Sequence, residues 1–252
     1  THYTPRQYIC LDKTLKYLTK NFGDREKYDI LICNDSYNKS ENDMKKSEQN
    51  LLSLSSNYNF KWYFGQRQFK FKNKLYKFNT VGCNIIDLIL KSKTEYFLFL
   101  EHDWIFTKKI NVDTLISLFQ KNDQINYIRF SIRNHPGPWD TNTEYIDKIN
   151  LTKTNAFTNH PYLSRKNFWN EYLVEKLISK KVSFIEDTIE NNFKNETEKM
   201  GLYIYKKIIK NNKSNDSIVV KHLDGSNRYI NSKSCDNNCL KSIEKYKLKI
   251  LK

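Results

Sequence analysis

Thr94-Glu95-Tyr96-Phe97-Leu98-Phe99-Leu100-Glu101-His102-Asp103 is the stretch on which the fold turns. Tyr96 to Leu100 are apolar without alternation, which predicts a strand covered on both faces, as inside a layered α/β sheet. Two carboxylates, Glu101 and Asp103, follow at once. Upstream, Ile85, Ile86, Ile89 and Leu90 share one face of a predicted helix. Downstream, Asn111 is placed to cap another, whose stripe is Val112, Leu115, Ile116 and Phe119.

The same rhythm extends both ways. Tyr8, Leu11, Leu15, Leu18 and Phe22 predict a helix, with Gly23 where a left-handed cap would sit. Ile30 to Cys33, ending in the turn cluster Asn34-Asp35-Ser36, predict a buried strand. A helix is expected over 42–55, a strand over 60–64 and a loop over the basic, aromatic stretch 65–77. Beyond a strand at 125–132, His135-Pro136-Gly137-Pro138-Trp139 and Asn159-His160-Pro161 predict rigid turns. Helices over 164–181 and 187–200 and strands over 202–209 and 218–223 complete the order. Alternating strands and helices predict a single α/β domain with a mostly parallel central sheet flanked by helices. It is expected to fill 1–232, with 233–252 a basic tail or helix.

With 252 residues, of which 38% are apolar, the chain can bury one large core, and no apolar run is long enough to span a bilayer. The sequence is expected to be a trimmed piece of a longer product. The net charge of +15 invites a polyanion, yet it comes from 36 Lys and only 7 Arg, and guanidinium is the better fork for bases and phosphates. Thirty Asn beside those Lys point to a chain-wide bias, as from an AT-rich viral or parasitic genome, so nucleic acid is not the expected partner. Cys10, Cys33 and Cys83 sit in apolar patterns as core residues, and Cys235 and Cys239 either pair or stay free. The compartment stays open, with a cytoplasmic setting slightly favoured. A Walker loop, a dinucleotide glycine fingerprint and a Gly-x-Ser-x-Gly elbow are all missing, which excludes the kinase, dehydrogenase and serine hydrolase readings.

Ligands of open α/β sheets collect beyond the carboxyl ends of the strands. Asp35, the Glu101-x-Asp103 pair and His222 all fall at such ends. An acid-x-acid pair alone means little, since Asp24-x-Glu26 and Glu41-x-Asp43 are two others. Carboxylates abutting a buried apolar run are costly unless they leave the core sharply or serve a cation, and cations that bridge phosphates take hard oxygen ligands of this kind.

In these residues the chain resembles the GT-A fold glycosyltransferases, especially those of the family 2 type. Gly82-x-Asn84 and the run from Thr94 to Asp103 look like the stretch leading into their DxD motif. Thr1-His2-Tyr3-Thr4-Pro5-Arg6 is similar to the end of their first strand, and Ile32-Cys33-Asn34-Asp35-Ser36 to the end of their second. The resemblance implies that Thr1, Tyr3, Arg6 and Asp35 line a nucleotide pocket, with Asp35 accepting a hydrogen bond from uracil. It places Glu101 near the ribose and Asp103 on the metal that grips the donor diphosphate. Glu101 stands where the family has its first Asp, and the first strand is expected to be largely truncated.

Phe184-Ile185-Glu186-Asp187 resembles the Glu-Asp pair that supplies the catalytic base of inverting members, implying Asp187 as base and Glu186 as its acceptor-binding neighbour. Acids at a helix start are also favoured by the dipole alone. Val219-Val220-Lys221-His222-Leu223 looks like the late strand that supplies a metal-binding histidine, although a lone His is as often structural. Asn159 and His160 are similar to substrate-facing positions. Trp104 and Trp139 are candidates to stack on sugars, with core packing the alternative for each.

The implied activity is transfer of a sugar from a nucleotide diphosphate, UDP-linked by preference, to a hydroxyl of a glycan, protein or small molecule, with inversion. A mixed oxygen and imidazole site suits Mn²⁺ or Mg²⁺, and histidine tilts it toward Mn²⁺. The alternatives are a metal-dependent phosphodiesterase or nuclease using the same acids, and a non-catalytic module that binds polyanions or glycans.

Overall fold

The computed structural model describes residues 6–23, 25–132, 140–146, 149–181, 184–205 and 218–223. Thr1, Tyr3, Trp139, Cys235, Cys239 and the stretch 233–252 lie outside the described residues.

Helix α1 (Gln7–Asn21) buries Leu11, Leu15 and Leu18, and Gly23 follows it at φ +69° as the sequence predicts. Strand β1 (Leu31–Asp35), helix α2 (Glu41–Tyr58) and strand β2 (Lys61–Gly65) form a parallel crossover unit. Ser40 starts α2 by accepting a hydrogen bond from Asp43 N.

The expected loop over 65–77 is instead a hairpin of β3 (Gln68–Phe71) and β4 (Lys74–Lys77). Lys72 and Asn73 at its tip both have positive φ, the two-residue geometry that matches strand twist. Phe69 and Phe71, buried two residues apart, carried the period of a strand.

Helix α3 (Val81–Lys91) then leads to β5 (Tyr96–Phe99), β6 (Trp104–Phe106), helix α4 (Val112–Lys121) and β7 (Tyr127–Phe130). Asn111 caps α4 by accepting from Thr114 N. The hairpin β8 (Asp140–Ile146) and β9 (Ile149–Thr154) precedes β10 (Tyr162–Arg165). Sequence periodicity showed neither hairpin nor β10. After a π-helical stretch at Phe168–Leu173 come α5 (Val174–Ser179), α6 (Ile185–Phe193), β11 (Leu202–Tyr205) and β12 (Val220–His222).

The main sheet has the order β5-β10-β7-β11-β9-β8 among the described residues. Strands β5, β7 and β11 run one way, and β10 is inserted antiparallel between the first two, so the sheet is mixed. Neighbouring residues serve opposite cores. Tyr127, Tyr162 and Leu202 pack with α3, α5 and α6, while Ile128, Leu163 and Tyr203 pack with α1 and α4. The apolar run likewise divides, Phe97 and Phe99 to one core and Tyr96, Leu98 and Leu100 to the other.

The expectation that this run is buried needs one correction. Of Tyr96 to Phe99 only Phe99 is fully buried, because β5 is the edge of the main sheet among the described residues. Cys10, Cys33 and Cys83 are buried free thiols, as expected. No helix among the described residues is long and apolar enough to cross a membrane.

Gly201 sets the register of β11 against β7, its carbonyl accepting from Asn126 N and Tyr127 N. It has φ +64°, and a Cβ there would lie 1.9 Å from the Gln124 carbonyl oxygen. Gly201→Ala is therefore expected to destabilise the fold by about 3 kcal/mol or more in urea titration, combining left-handed strain with a backbone clash. A loss below about 1 kcal/mol would contradict this packing.

Candidate active site

Two clusters form at strand ends, and α1 touches both. At its start, buried Gln7 donates from Nε2 to Asn34 Oδ1 (3.0 Å) and accepts from Ser47 Oγ (2.9 Å). At its middle, Thr14 Oγ1 donates to the His102 carbonyl (2.7 Å). The helix thereby fixes the end of β1 relative to the bend after β5.

The first cluster surrounds Asp35. Its Oδ2 accepts from Arg67 Nη2 (2.8 Å), and its Oδ1 accepts from Asn84 Nδ2 (3.0 Å), Arg67 Nε (3.3 Å) and Tyr37 N (3.3 Å). Asn84 Oδ1 in turn accepts from Arg67 N (2.8 Å). The guanidinium lies 4.1 Å from the centre of the Tyr37 ring. Arg67 has φ +52°, a conformation that these bonds hold in place. Gly65 allows the close approach, since a Cβ there would meet Cys33 Sγ at 2.5 Å and Asn84 at 2.7 Å.

Asp35 was expected to present its carboxylate to a base. In this structure both oxygens are already engaged, so a base N–H would have to share or displace Arg67. Arg67 is the residue missed in the sequence, where its one mark was being among seven arginines. Arg6, also expected here, lies half-buried at the entry to α1.

Burial pushes the Asp35 carboxyl up, but the hydrogen bonds and charge of Arg67, with Tyr37 N and Asn84, outweigh it and hold the group below its ordinary value. A depressed carboxyl adds stability above its unfolded value of about 3.9, and that contribution is lost as pH falls through the folded value. Asp35→Asn should therefore be less stable than the parent by about 1–3 kcal/mol near neutral pH. Urea titrations across pH should show the gap narrowing below about pH 4. A gap that stays constant into acid would contradict the pairing.

The second cluster follows β5. Strands β6 and β12 pair antiparallel with Trp104 opposite His222, and the Asp103 carbonyl accepts from Leu223 N (2.7 Å). That ladder brings His222 Nε2 to 3.1 Å from Asp103 Oδ2. The Trp104 indole packs against His222 (4.7 Å between ring centres) and His160 (5.2 Å), and its Nε1 donates to Glu101 Oε2 (3.3 Å). At 6% exposure Trp104 is a packing residue beneath the cluster rather than an open platform for a sugar.

Glu186 reaches in from the first turn of α6 and accepts from Asn159 N, while Asn159 Oδ1 is buried without a hydrogen-bond partner among the described residues. Tyr162 adds a buried hydroxyl that also lacks a hydrogen-bond partner among the described residues. Burial raises its pKa well above normal, and Tyr127 and the carboxylates of Glu186 and Glu101 add to the shift. Asp187, next to Glu186, is exposed and makes no hydrogen bond or ion pair within the described residues. The structure thus gathers Glu101, Asp103, Trp104, Asn159, His160, Glu186 and His222 around one region. The Tyr162 hydroxyl, inside the expected substrate-facing segment, had no signal of its own.

Asp103 is the electrostatic centre of this cluster. Burial pushes its carboxyl up, but the His222 hydrogen bond and the His102 and His222 charges overcome this and leave it at about 2. Its Oδ1 is buried with no hydrogen-bond partner among the described residues. An ionised oxygen left unanswered beside an imidazole fits one side of a divalent cation site. No group of three or more His, Cys, Asp or Glu suited to a metal occurs among the described residues. Such a site would therefore be open, with substrate oxygens and water completing it, as is usual for cations that bind phosphates.

No family model matches the chain, and no curated protein does. Solved structures do resemble it. S. aureus TarS 1–349 aligns with a TM-score of 0.50 and 12% identity over 81% of this chain and 56% of that one. UDP-glucose pyrophosphorylase complexed with UDP-glucose gives 0.49 and 13%, over 96% and 86%. Mouse xyloside xylosyltransferase 1 gives 0.42 and 11%, over 81% and 83%. The chain spans about 56% of the TarS chain that it matches. At such identities the likeness is one of fold, and the chain is a GT-A-like α/β domain with a mixed central sheet flanked by helices.

Proposed function

We propose that the chain is a metal-dependent, inverting glycosyltransferase of the hexosyl type, moving a sugar from a UDP-linked donor to a hydroxyl acceptor. The observation that carries the reading is the buried Oδ1 of ionised Asp103, without a hydrogen-bond partner among the described residues, beside His222 at the end of the apolar strand. TarS 1–349, whose fold the chain shares, is also known in complex with UDP-GlcNAc.

In this reading Asp103 and His222 would hold Mn²⁺ or Mg²⁺. When bound, the cation neutralises the charge that develops on the departing diphosphate. The Asp35–Arg67–Asn84 cluster faces the nucleotide, with Asp35 orienting Arg67. Glu186 fixes the 159–162 segment through Asn159 N, which shapes the acceptor side. Asp187 takes the proton of the acceptor hydroxyl as that oxygen bonds to the anomeric carbon and the bond to the diphosphate oxygen breaks. One displacement inverts the anomeric centre.

A thermal-shift panel tests the reading. UDP-GlcNAc with Mn²⁺ at about a hundred times its dissociation constant should stabilise the chain by about 2.7 kcal/mol, and the sugar nucleotide without metal by much less. No shift with any nucleotide sugar, together with a salt-sensitive shift on DNA or RNA, would replace this reading by a nuclease or polyanion-binding one.

A further inference from the structure

From Gln49 to Ile86 the sequence contains no Asp or Glu, yet it holds Lys61, Arg67, Lys70, Lys72, Lys74 and Lys77. No other acid-free run in the chain is as long, so the general lysine bias does not account for it. The β3–β4 hairpin gathers four of those lysines. Its register pairs Phe69 with Tyr76 and Phe71 with Lys74 on one face, and Gln68 with Lys77 and Lys70 with Leu75 on the other.

The first face is fastened to the core. Phe69 and Phe71 are buried in one cluster with Cys83 and Ile86 of α3, and Tyr76 packs against it. The second face is thereby fixed pointing outward. Lys70, Leu75 and Lys77 are exposed on it, and Lys72, Asn73 and Lys74 are exposed at the turn. Leu75, at 61% exposure, is the most open large apolar side chain among the described residues. Lys72 pairs with Glu175, whereas Lys70, Lys74 and Lys77 make no ion pair among the described residues.

Lysines along an exposed hairpin by themselves keep a sheet edge from pairing with another chain. A leucine at their centre works against that purpose. An anionic lipid surface uses both kinds of group, since ammonium ions meet diffuse negative charge and an apolar side chain enters the layer below the head groups. A nucleic acid strand would use the charge but also needs aromatic rings to stack on, and the rings of this hairpin turn inward. We propose that the outward face of the β3–β4 hairpin docks the chain on an anionic lipid surface, with Leu75 entering the interface and Lys70, Lys74 and Lys77 facing the head groups.

The docking face stands apart from the proposed transfer reaction, so its test reads binding to vesicles. The chain should cosediment with phosphatidylcholine vesicles that contain about 30% phosphatidylglycerol and not with phosphatidylcholine alone, and rising salt should weaken the binding. Lys70→Gln, Lys74→Gln and Lys77→Gln combined should lower partitioning about a hundredfold, at about fivefold per lysine near such a surface. Leu75→Ser should lower it at least about tenfold. Lys16→Gln, Lys20→Gln and Lys46→Gln combined, on α1 and α2, remove the same charge and should cost less than about threefold. All the substituted positions are exposed, so the variants should melt with the parent. Equal losses in the two triple variants, undiminished binding by Leu75→Ser, or a parent that ignores anionic vesicles would overturn the assignment. So would salt-sensitive binding of DNA or heparin by the parent and Leu75→Ser alike without binding to vesicles, which would give the lysines to a soluble polyanion.

Discussion

Transfer by the Asp187→Asn variant is expected to be about 10²–10⁴-fold slower than by the parent, with affinity for UDP and Mn²⁺ unchanged. The carboxylate is exposed on the first turn of α6 and has no partner within the described residues, so its loss should leave the fold intact. Asn keeps the shape and the helix-start geometry but cannot take a proton. Release of UDP from a nucleotide-sugar donor in the presence of acceptor reads kcat, and calorimetry reads binding. A rate within about threefold of the parent would move the base elsewhere. Glu186 would then be the first candidate, since it points toward Asn159.

Asp103→Asn should have the other large effect, on binding. The substitution removes the charge that faces His222 and halves the oxygen donors of the site, so Mn²⁺-dependent affinity for UDP should fall by at least about a hundredfold, about 2.7 kcal/mol. Metal-independent affinity for UDP should change little, because the Asp35 cluster is formed by other strands. His222→Ala should weaken the same metal-dependent component. If both variants bind UDP with Mn²⁺ as the parent does, the pair is structural.

The α/β layering was legible because strong local signals and burial agreed. The Leu11, Leu15, Leu18 and Phe22 part of the α1 stripe and the Asn111 cap hold in the structure, and the run at 96–100 carries a strand whose side chains divide between two cores although only Phe99 is fully buried. What escaped was set by distant partners. The antiparallel insertion of β10 depends on edges supplied by β5 and β7, and a four-residue strand carries too few residues for a period to show. The hairpin at 68–77 was missed because Lys72-Asn73 lacks the glycine that usually marks such turns.

The candidate site divides in the same way. Asp103 stood out because it abuts a buried apolar run, and His222 because it ends a strand. Their 3.1 Å contact is created by the β6–β12 ladder, which joins residues far apart in the chain. Arg67 could not be assigned to Asp35 beforehand, because its left-handed backbone is stabilised only by the folded neighbours Asn84 and Asp35. Trp104 was weighed as a sugar platform or core residue, and the paired strands decide for the core.

Crystals grown with Mn²⁺ and UDP and measured at the manganese absorption edge bear most directly on the proposed metal site. One anomalous peak is expected within coordinating distance of Asp103 Oδ1 and His222 Nε2, with diphosphate oxygens completing its shell. A peak elsewhere, or bound UDP with no metal beside Asp103, would contradict it.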